Sequence, residues 1–513
     1  MRSFFEWFAA QPPDTTARWV IFGKGPSFAR RAEFDLSGYR SLSLNHVVRD
    51  QPVDVAHAID VDVVEACEAE LERNASVVVL PWYPHRRNRA GNLTLVEWAE
   101  RLPVLQRLRE AGRLLWYDLG TTRRRHGSGP VVPAPYFSAE AALSLLALAG
   151  AREVRSLGVD GGSSYSREFG DLRDKTLLNN GHKSFDTQFQ GFARTIMQTG
   201  IDYAPLGIES PIRIFVGSTP AQMLAVKVLE YSVRKHASMS VEVFPLFQAP
   251  LEYPTPKDPA NRPRTPFSFQ RFVIPSLKGF RGRAIYLDSD MQVFRDVREV
   301  WTLPFNGADL LAAREPDGTG RRPQFSVMLL DCERLRWDLT QIVARLDSGE
   351  LDYEKLMYRM AVAETIDAAI DPHWNSLERY EEGRTSLLHY TDMNRQPWIS
   401  PDNKLNYLWT RDLCEAIDRG VIARDYVASE VAAGNVRPSL LYQVDHRVED
   451  TALLPKPARA LDAGFVPPHR RDAGALASMR VNPIRVARAV LRSLYQRTFF
   501  PDLERRIRRY VRA

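Results

Sequence analysis

The stretch "GRAIYLDSDMQVFRDVREVW" (282–301) sets two carboxylates, Asp288 and Asp290, one residue apart directly after the apolar run 284–287. Like charges at the end of a buried run repel each other and lose hydration. A divalent cation removes both costs. Hard carboxylate oxygens suit Mn²⁺ or Mg²⁺, ions that bridge to substrate phosphates. In extended backbone, residues i and i+2 point to one side, so both carboxylates are expected to aim at one point. In open α/β sheets that point, beyond a strand's carboxyl end, is the ligand crevice. The spacing alone is weak, because Asp60 and Asp62 in "AIDVDVVEA" repeat it; there, acids at the start of a helix are sufficient explanation. His389, in "LLHYTDMNRQPW" (387–398), supplies an imidazole. Two carboxylates and one imidazole would leave positions open for phosphate oxygens.

The elements that must position these groups alternate along the chain. "RWVIFGKGPSF" (18–28), "SLSLNHVV" (41–48), "SVVVLPW" (76–82), "RLLWYDLG" (113–120) and "VRSLGVDGG" (154–162) read as strands. Helical patterns such as "VDVVEACEAELERN" and "SAEAALSLLALAGA" separate them, which predicts a parallel, doubly wound sheet. "APLGIESPI" (204–212) reads as a linker, after which the pattern restarts with strand 212–218, helix 219–236 and strand "VEVFPL". The six prolines in 250–266 exclude regular structure there and predict a surface loop or a substrate-binding lid. The expected division is 1–205, 211–445, a linker at 446–479 and a tail at 480–513.

At 513 residues the chain exceeds one core, and 44% apolar with 26% charged residues is ordinary for a soluble protein. No apolar run is long enough to span a bilayer, and the N-terminal "MRSFFEWFAAQPP" reads as a docked segment. Three widely spaced cysteines, Cys67, Cys332 and Cys414, fit a reducing cytoplasm and exclude a disulfide framework. The net charge of +6 is uneven: 480–513 holds ten arginines against Asp502 and Glu504, so the body is near-neutral and the tail basic. Arg485, Arg488 and Arg492 recur at helical spacing beside an apolar stripe and Phe499 and Phe500. That pattern predicts an amphipathic helix on an anionic membrane surface, ahead of a solvated helix and of nucleic-acid binding.

Several segments occur in a telling order: "FSFQRFVIPSL" (267–277), "RAIYLDSDMQVFRDVREVW" (283–301), "QFSVMLLDCERLRW" (324–337), "HWNSLERY" (373–380) and "LLHYTDMNRQPW". Over about 212–400 they resemble glycosyltransferase family 8, the group of glycogenin and bacterial lipopolysaccharide galactosyl- and glucosyltransferases. The resemblance implies a GT-A fold, Mn²⁺ (or Mg²⁺), a nucleoside-diphosphate sugar donor with UDP-hexose first, and transfer with retention to a glycan, lipid-linked or protein acceptor. It implies Asp288, Asp290 and His389 as metal ligands, Trp374 and Asn375 on the acceptor side, and Arg271, Ser289, Gln396 and Gly217 around the donor. Four features depart from that family, the first being that "FVGSTPAQ" (215–222) lacks the aspartate and tyrosine that hold its uridine. Gln396 stands where its lysine reaches the diphosphate, leaving Arg395 or the metal to supply charge; 324–326 replace its N-S-G; and its aspartate–glutamine pair is not visible before Trp374.

In the first domain, "VIFGKGPSF" (20–28) and "SAEAALSLLALAGAREVRSLGVDGG" (138–162) pair G-x-G-P-S with a serine-led helix and G-V-D. Glycines after a first strand let backbone approach a phosphate or sugar. The pairing resembles the family 42 sialyltransferase-like group and the motility-associated flagellin glycosyltransferases. By that resemblance Gly23, Gly25, Ser27, Asn45, Ser138 and Asp160 line a nucleotide site, with His182 or His126 as a candidate base.

The fold class expected is therefore α/β: two Rossmann-like domains, the second of GT-A type, and a basic amphipathic helical tail. The expected protein is a cytoplasmic, metal-dependent glycosyltransferase, peripheral on the inner membrane, with a second transferase site left open in the first domain. The alternative is a non-catalytic nucleotide- or carbohydrate-binding scaffold of decayed transferase domains.

Overall fold

The computed structural model describes residues 1–13, 16–121, 124–251, 253–314 and 325–471. The expected basic helix at 480–513 lies outside the described residues. The chain divides into two compact units, 1–212 with 235–241, and 213–234 with 242 onward.

The strands of the first unit are β1 Arg18–Phe22, β2 Arg40–Leu44, β3 Val53–His57, β4 Ala75–Pro81, β5 His85–Arg86, β6 Arg89–Ala90, β7 Leu114–Leu119, β8 Val131–Val132, β9 Glu153–Leu157 and β10 Asp202–Pro205. Eight of them form one sheet in the order β10-β9-β1-β2-β3-β4-β7-β8, parallel throughout. Alternation along β1 explains the layers. Trp19 and Ile21 enter one core with the helix Ser138–Ala149 and Phe192; Val20 and Phe22 enter the other with Val64 and Leu105. A sheet covered on both faces needs near-continuous apolar strands, which "SVVVLP" supplies. The strand order reverses between β1 and β9, and such a reversal opens a crevice at the carboxyl ends. The N-terminal helix Phe4–Ala9, closed by a Ser3–Glu6 capping box, buries Phe4, Trp7 and Phe8 in the first of these cores.

Besides the two-residue strands β5, β6 and β8, the strands β3 and β10 escape the sequence pattern. β3 carries Asp54, whose carboxylate accepts the Ser41 backbone N–H at 2.8 Å and the Ser41 hydroxyl at 2.9 Å, satisfying a charge inside a strand. β10 is a four-residue edge strand at the start of the expected linker, and its Pro205 stands at the strand's last position.

The second unit contains β11 Ile212–Gly217, β12 Val241–Pro245, β13 Arg283–Asp288, β14 Met291–Val293, β15 Leu310–Ala313, β16 Val327–Asp331, β17 Ile366–Ile370, β18 Ser376–Leu377 and β19 Leu387–His389. Six form a mixed sheet, β12-β11-β13-β16-β15-β17, and three a small sheet, β14-β19-β18. β11 and β13 are parallel, while β13 and β15 each run antiparallel to β16. The core on one face gathers Phe272, Tyr286, Met328, Leu330 and Trp337. Within 250–266 the described residues hold one three-residue 3₁₀ turn, Pro259–Asn261. The stretch after 446 is more ordered than a linker: a helix, Lys456–Ala460, buries Ala458, and the Thr451 hydroxyl donates to the Pro401 carbonyl at 2.6 Å. Among the described residues no helix is long and apolar enough to cross a membrane. All three cysteines are buried and unpaired.

Candidate functional site

β13 ends at Asp288, the chain bends through Ser289 and Asp290, and β14 begins at Met291. The two carboxylates therefore do not share one extended strand, as the i, i+2 spacing predicts. Asp288 closes a strand of the six-stranded sheet, and Asp290 lies in the bend just before the first strand of the three-stranded one. They converge because β14 pairs antiparallel with β19, setting Met291 opposite His389, and the Tyr390 N–H donates to the Asp290 carbonyl at 2.8 Å. Ligand atoms of Asp288, Asp290 and His389 all lie within 4.8 Å of one another, and all three residues are buried.

Each member is held by its own partners. Asp288 Oδ1 accepts the Tyr286 hydroxyl at 2.5 Å, since residues two apart on β13 share a face. Arg271 Nη2 lies 3.5 Å from the same oxygen. The rest of that guanidinium is committed to the Ser268 carbonyl at 3.1 Å and the Phe325 carbonyl at 2.8 Å, above the Tyr286 ring. Arg271 is thus a buried residue that braces Asp288. Burial, and the carboxylate beside it, push the Tyr286 phenol far above its ordinary pKa. Gly217 pairs with Asp288 across β11 and β13, and a Cβ there would run into the Tyr286 hydroxyl.

Asp290 Oδ2 accepts Gln396 Nε2 at 2.8 Å, and the same amide reaches the Tyr390 carbonyl at 3.2 Å. His389 Nε2 stands 3.2 Å from Asp290 Oδ1. His389 Nδ1 lies 3.1 Å from Asn375 Oδ1. Asn375 closes the 3₁₀ turn Pro372–Asn375, capped by Asp371 and tied to the strand of His389 by the Ser386 N–H on the His373 carbonyl. Trp374, one residue earlier, is buried. Burial opposes a charged His389, but the Asp290 and Asp288 carboxylates outweigh it and raise the imidazole pKa above its usual value.

These residues fit a divalent cation. Ser289 Oγ is buried without a hydrogen-bond partner among the described residues, and Asp290 Oδ1 faces the His389 imidazole at 3.2 Å. An Nδ1–H donated to Asn375 leaves the Nε2 lone pair facing the carboxylates, the arrangement that orients a ligating histidine. The control pair behaves otherwise. Asp60 stands at the N-cap position of the helix Val61–Ala66 without a side-chain capping bond, and Asp60 and Asp62 take the backbone N–H groups of Asn88 and Arg87.

The first unit holds a cavity of about 1110 Å³ along the carboxyl ends of β1, β2, β7 and β9. Gly23, Gly25, Asn45, Ser138, Asp160 and His182 all line it. The glycines have a structural use: a Cβ on Gly23 would strike the Gly158 carbonyl, and one on Gly25 the Asp160 carboxylate. The glycines thus allow close packing of two loops at the edge of the cavity. Ser27 and Asp160 serve the same contact, with the Ser27 hydroxyl 2.5 Å and its N–H 2.7 Å from the carboxylate. Asn45 adopts the left-handed φ of 53° that asparagine tolerates, and reaches Ser138 Oγ at 3.3 Å. His126 is absent from this lining and stacks on Trp82 at 3.4 Å. Arg395, offered as a charge for the diphosphate, is exposed beside Asp392.

Sequence reasoning missed Tyr286 and the bracing roles of Gln396 and Asn375. The alternation of Tyr286 with Asp288 was a signal; the other two contacts join residues 106 and 14 apart.

No family model matches the chain. A curated relative, Protein CDI of Arabidopsis thaliana, is 34% identical over 97 residues, which is 18% of this chain and 38% of that protein. Among solved structures, the apo glycosyltransferase GlyE of Streptococcus pneumoniae TIGR4 matches 40% of this chain and 60% of its own, at 17% identity and TM-score 0.30. The galactosyltransferase LgtC with donor and acceptor sugar analogues matches 37% and 91%, at 12% identity and TM-score 0.26. A point variant of the sialyltransferase Cst-II with CMP matches 37% and 81%, at 13% identity and TM-score 0.24. Similarity this distant leaves the chemistry to be argued from the site.

Proposed function

We propose that the second unit is a metal-dependent glycosyltransferase of GT-A type, moving a hexose from a nucleoside-diphosphate sugar, with retention, to a glycan, glycolipid or protein acceptor. The observation that carries the reading is the convergence of Asp288 at the end of β13, Asp290 in the bend before β14 and His389 on β19, all buried, with Asp290 Oδ1 facing His389 Nε2 at 3.2 Å. Such an arrangement is costly without a cation and has a clear use with one. Asp288, Asp290 and His389 would hold Mn²⁺ or Mg²⁺, which when bound neutralises charge developing on a departing diphosphate. Tyr286 and Arg271 fix the Asp288 carboxylate, Gln396 fixes Asp290, and Asn375 sets the tautomer of His389. Gln396 replaces a charge with a neutral amide turned onto Asp290, so charge compensation at the leaving group falls to the cation.

The first unit's cavity supports a nucleotide site there, on the scale of a mononucleotide or nucleotide sugar. A cytoplasmic location, peripheral on the inner membrane through 480–513, belongs to the same reading.

The test is donor hydrolysis by the full chain, screened across nucleotide sugars with Mn²⁺ and after chelation. Chelation is expected to abolish turnover, and Asp288→Asn to reduce it by more than about 100-fold, beyond the range typical of residues behind the ligands. Undiminished turnover in Asp288→Asn, or in the chelated protein, would overturn the reading.

A further inference from the structure

The walls of the first unit's cavity differ in chemistry. At one end stand aromatic groups: His182 lies 5.4 Å from the Tyr136 ring and 5.2 Å from the Phe137 ring, and Phe137 lies 5.1 Å from Phe185. At the other end stand Lys24, Arg49 and Lys175, whose positive charges all act on the ring of His46. Tyr165 joins the two ends, stacked near Phe185 and lying under the Lys24 ammonium at 4.3 Å.

The cations are not equivalent. Arg49 is spent on Asp171, through two bonds of 2.9 and 3.2 Å. Lys24 has a neutral partner, the Thr176 hydroxyl at 3.1 Å, and among the described residues no carboxylate lies within ion-pair distance of Lys24 or Lys175. The carboxylates that line the cavity are occupied: Asp160 by Ser27, Asp171 by Arg49, and Asp60 and Asp62 by backbone N–H groups. His46 is 6% exposed, and its Nδ1 has no hydrogen-bond partner among the described residues. Burial first, then Lys24 and Arg49, push its pKa down to about 4, so it stands neutral at pH 7. Burial and Arg49 likewise bring Lys24 down to about 8, which leaves it mostly charged at that pH. Two ammonium groups without an ion-pair partner and an imidazole whose Nδ1 is unpartnered, beside carboxylates already engaged elsewhere, give the site positive charge and donors.

We infer that Lys24, Lys175 and His46 form the phosphate subsite of this cavity, with the aromatic end taking the base of a nucleotide. The inference rests on reading the cavity as a nucleotide site and fixes the direction in which the ligand lies. It is independent of the metal centre in the second unit. Lys24 sits two residues past the end of β1, at the point where the strand order reverses, so the phosphate falls at the mouth of the β1–β9 crevice.

Isothermal titration of the full chain at pH 7 with the four ribonucleoside 5′-monophosphates and their parent nucleosides tests this. At least one monophosphate is expected to bind about 10- to 100-fold more tightly than its nucleoside, the range for a charge-assisted contact. Lys24→Met and Lys175→Met should each remove most of that preference and leave nucleoside affinity unchanged. Lys175 is exposed, so its variant decides the matter if Lys24→Met fails to fold. Equal affinity for monophosphate and nucleoside, or a preference retained in the folded lysine variants, would overturn the subsite and leave the cavity a nucleoside site. Absence of binding by either ligand class would overturn the subsite and the nucleotide reading together.

Discussion

His389 turns one ring nitrogen, Nδ1, toward Asn375 Oδ1 at 3.1 Å and the other, Nε2, toward Asp290 Oδ1 at 3.2 Å. The ring is thus clamped between a neutral acceptor and a carboxylate, and the first determines what the second meets. Asn375→Ala is expected to weaken Mn²⁺ binding by about 10- to 100-fold, the usual effect of removing a residue that orients a ligating histidine. Asn375→Asp, which keeps an acceptor, should recover most of it. Titration of the purified variants with Mn²⁺, followed by electron paramagnetic resonance of the free ion, measures this. Equal affinity in Asn375→Ala would remove the orienting role.

The same histidine sets a pH dependence. Burial works against its proton, but Asp290 and Asp288 raise its pKa above the ordinary 6.5 in the metal-free protein. A cation must displace that proton, so affinity for Mn²⁺ should rise with pH through and beyond 6.5 and then level off. Affinity independent of pH between 6 and 8 would contradict it.

Gln396 donates to Asp290 Oδ2, which is buried. Gln396→Leu leaves that oxygen without its donor, at a cost of about 1–3 kcal/mol. Urea denaturation of the metal-free protein should register the loss, and saturating Mn²⁺ should restore part of it by binding the folded state alone.

Gly217 and Tyr286 form a coupled pair, because the space a Gly217 Cβ would need is filled by the Tyr286 hydroxyl. Gly217→Ala alone and Tyr286→Phe alone should each destabilise the second unit, the first by a clash and the second by stripping Asp288 of a donor. The double variant should lose less than the sum, with a coupling of about 0.5–3 kcal/mol. Strict additivity in a thermal-melt cycle would refute the contact.

Glu140 offers a test in the first unit. Burial raises its pKa to about 7, despite the N–H groups of Phe137 and Tyr136 that favour its charge. The folded state then holds a proton that the unfolded chain releases near 4.5, so this group's contribution to stability falls as pH rises from 4.5 to 7 and is constant above. Glu140→Gln removes the titration. Its stability relative to the parent should therefore improve across that window, by up to about 3 kcal/mol. His46, held near 4, acts in the opposite sense in both proteins and cancels in the difference. A difference that does not change with pH would show that Glu140 ionises normally.

Strand–helix alternation made the doubly wound first unit legible, since a sheet buried on both faces imposes apolar runs that survive in any reading of the chain. β3 was hidden because Asp54 breaks its pattern, and β10 because an edge strand of four residues resembles the linker that follows. The G-x-G-P-S and G-V-D signatures were recognisable, but their use was not. Only the fold brings Gly23 and Gly25 against Gly158 and Asp160, the latter 133 residues from Ser27.

The sequence by itself determined the chemistry available: two carboxylates after an apolar strand, an imidazole about a hundred residues later, and a lysine between the first glycines of a near-neutral body. Only the tertiary structure decided how they are used. The bend at 289–290 carries Asp290 off the strand that ends at Asp288, and the pairing of β14 with β19 brings His389 back to them. The amides of Gln396 and Asn375 then take hydrogen-bond positions that no local pattern encodes. Ligand type follows from side-chain chemistry, which is local. Convergence and protonation follow from burial and from neighbours distant in the chain, which exist only once it has folded.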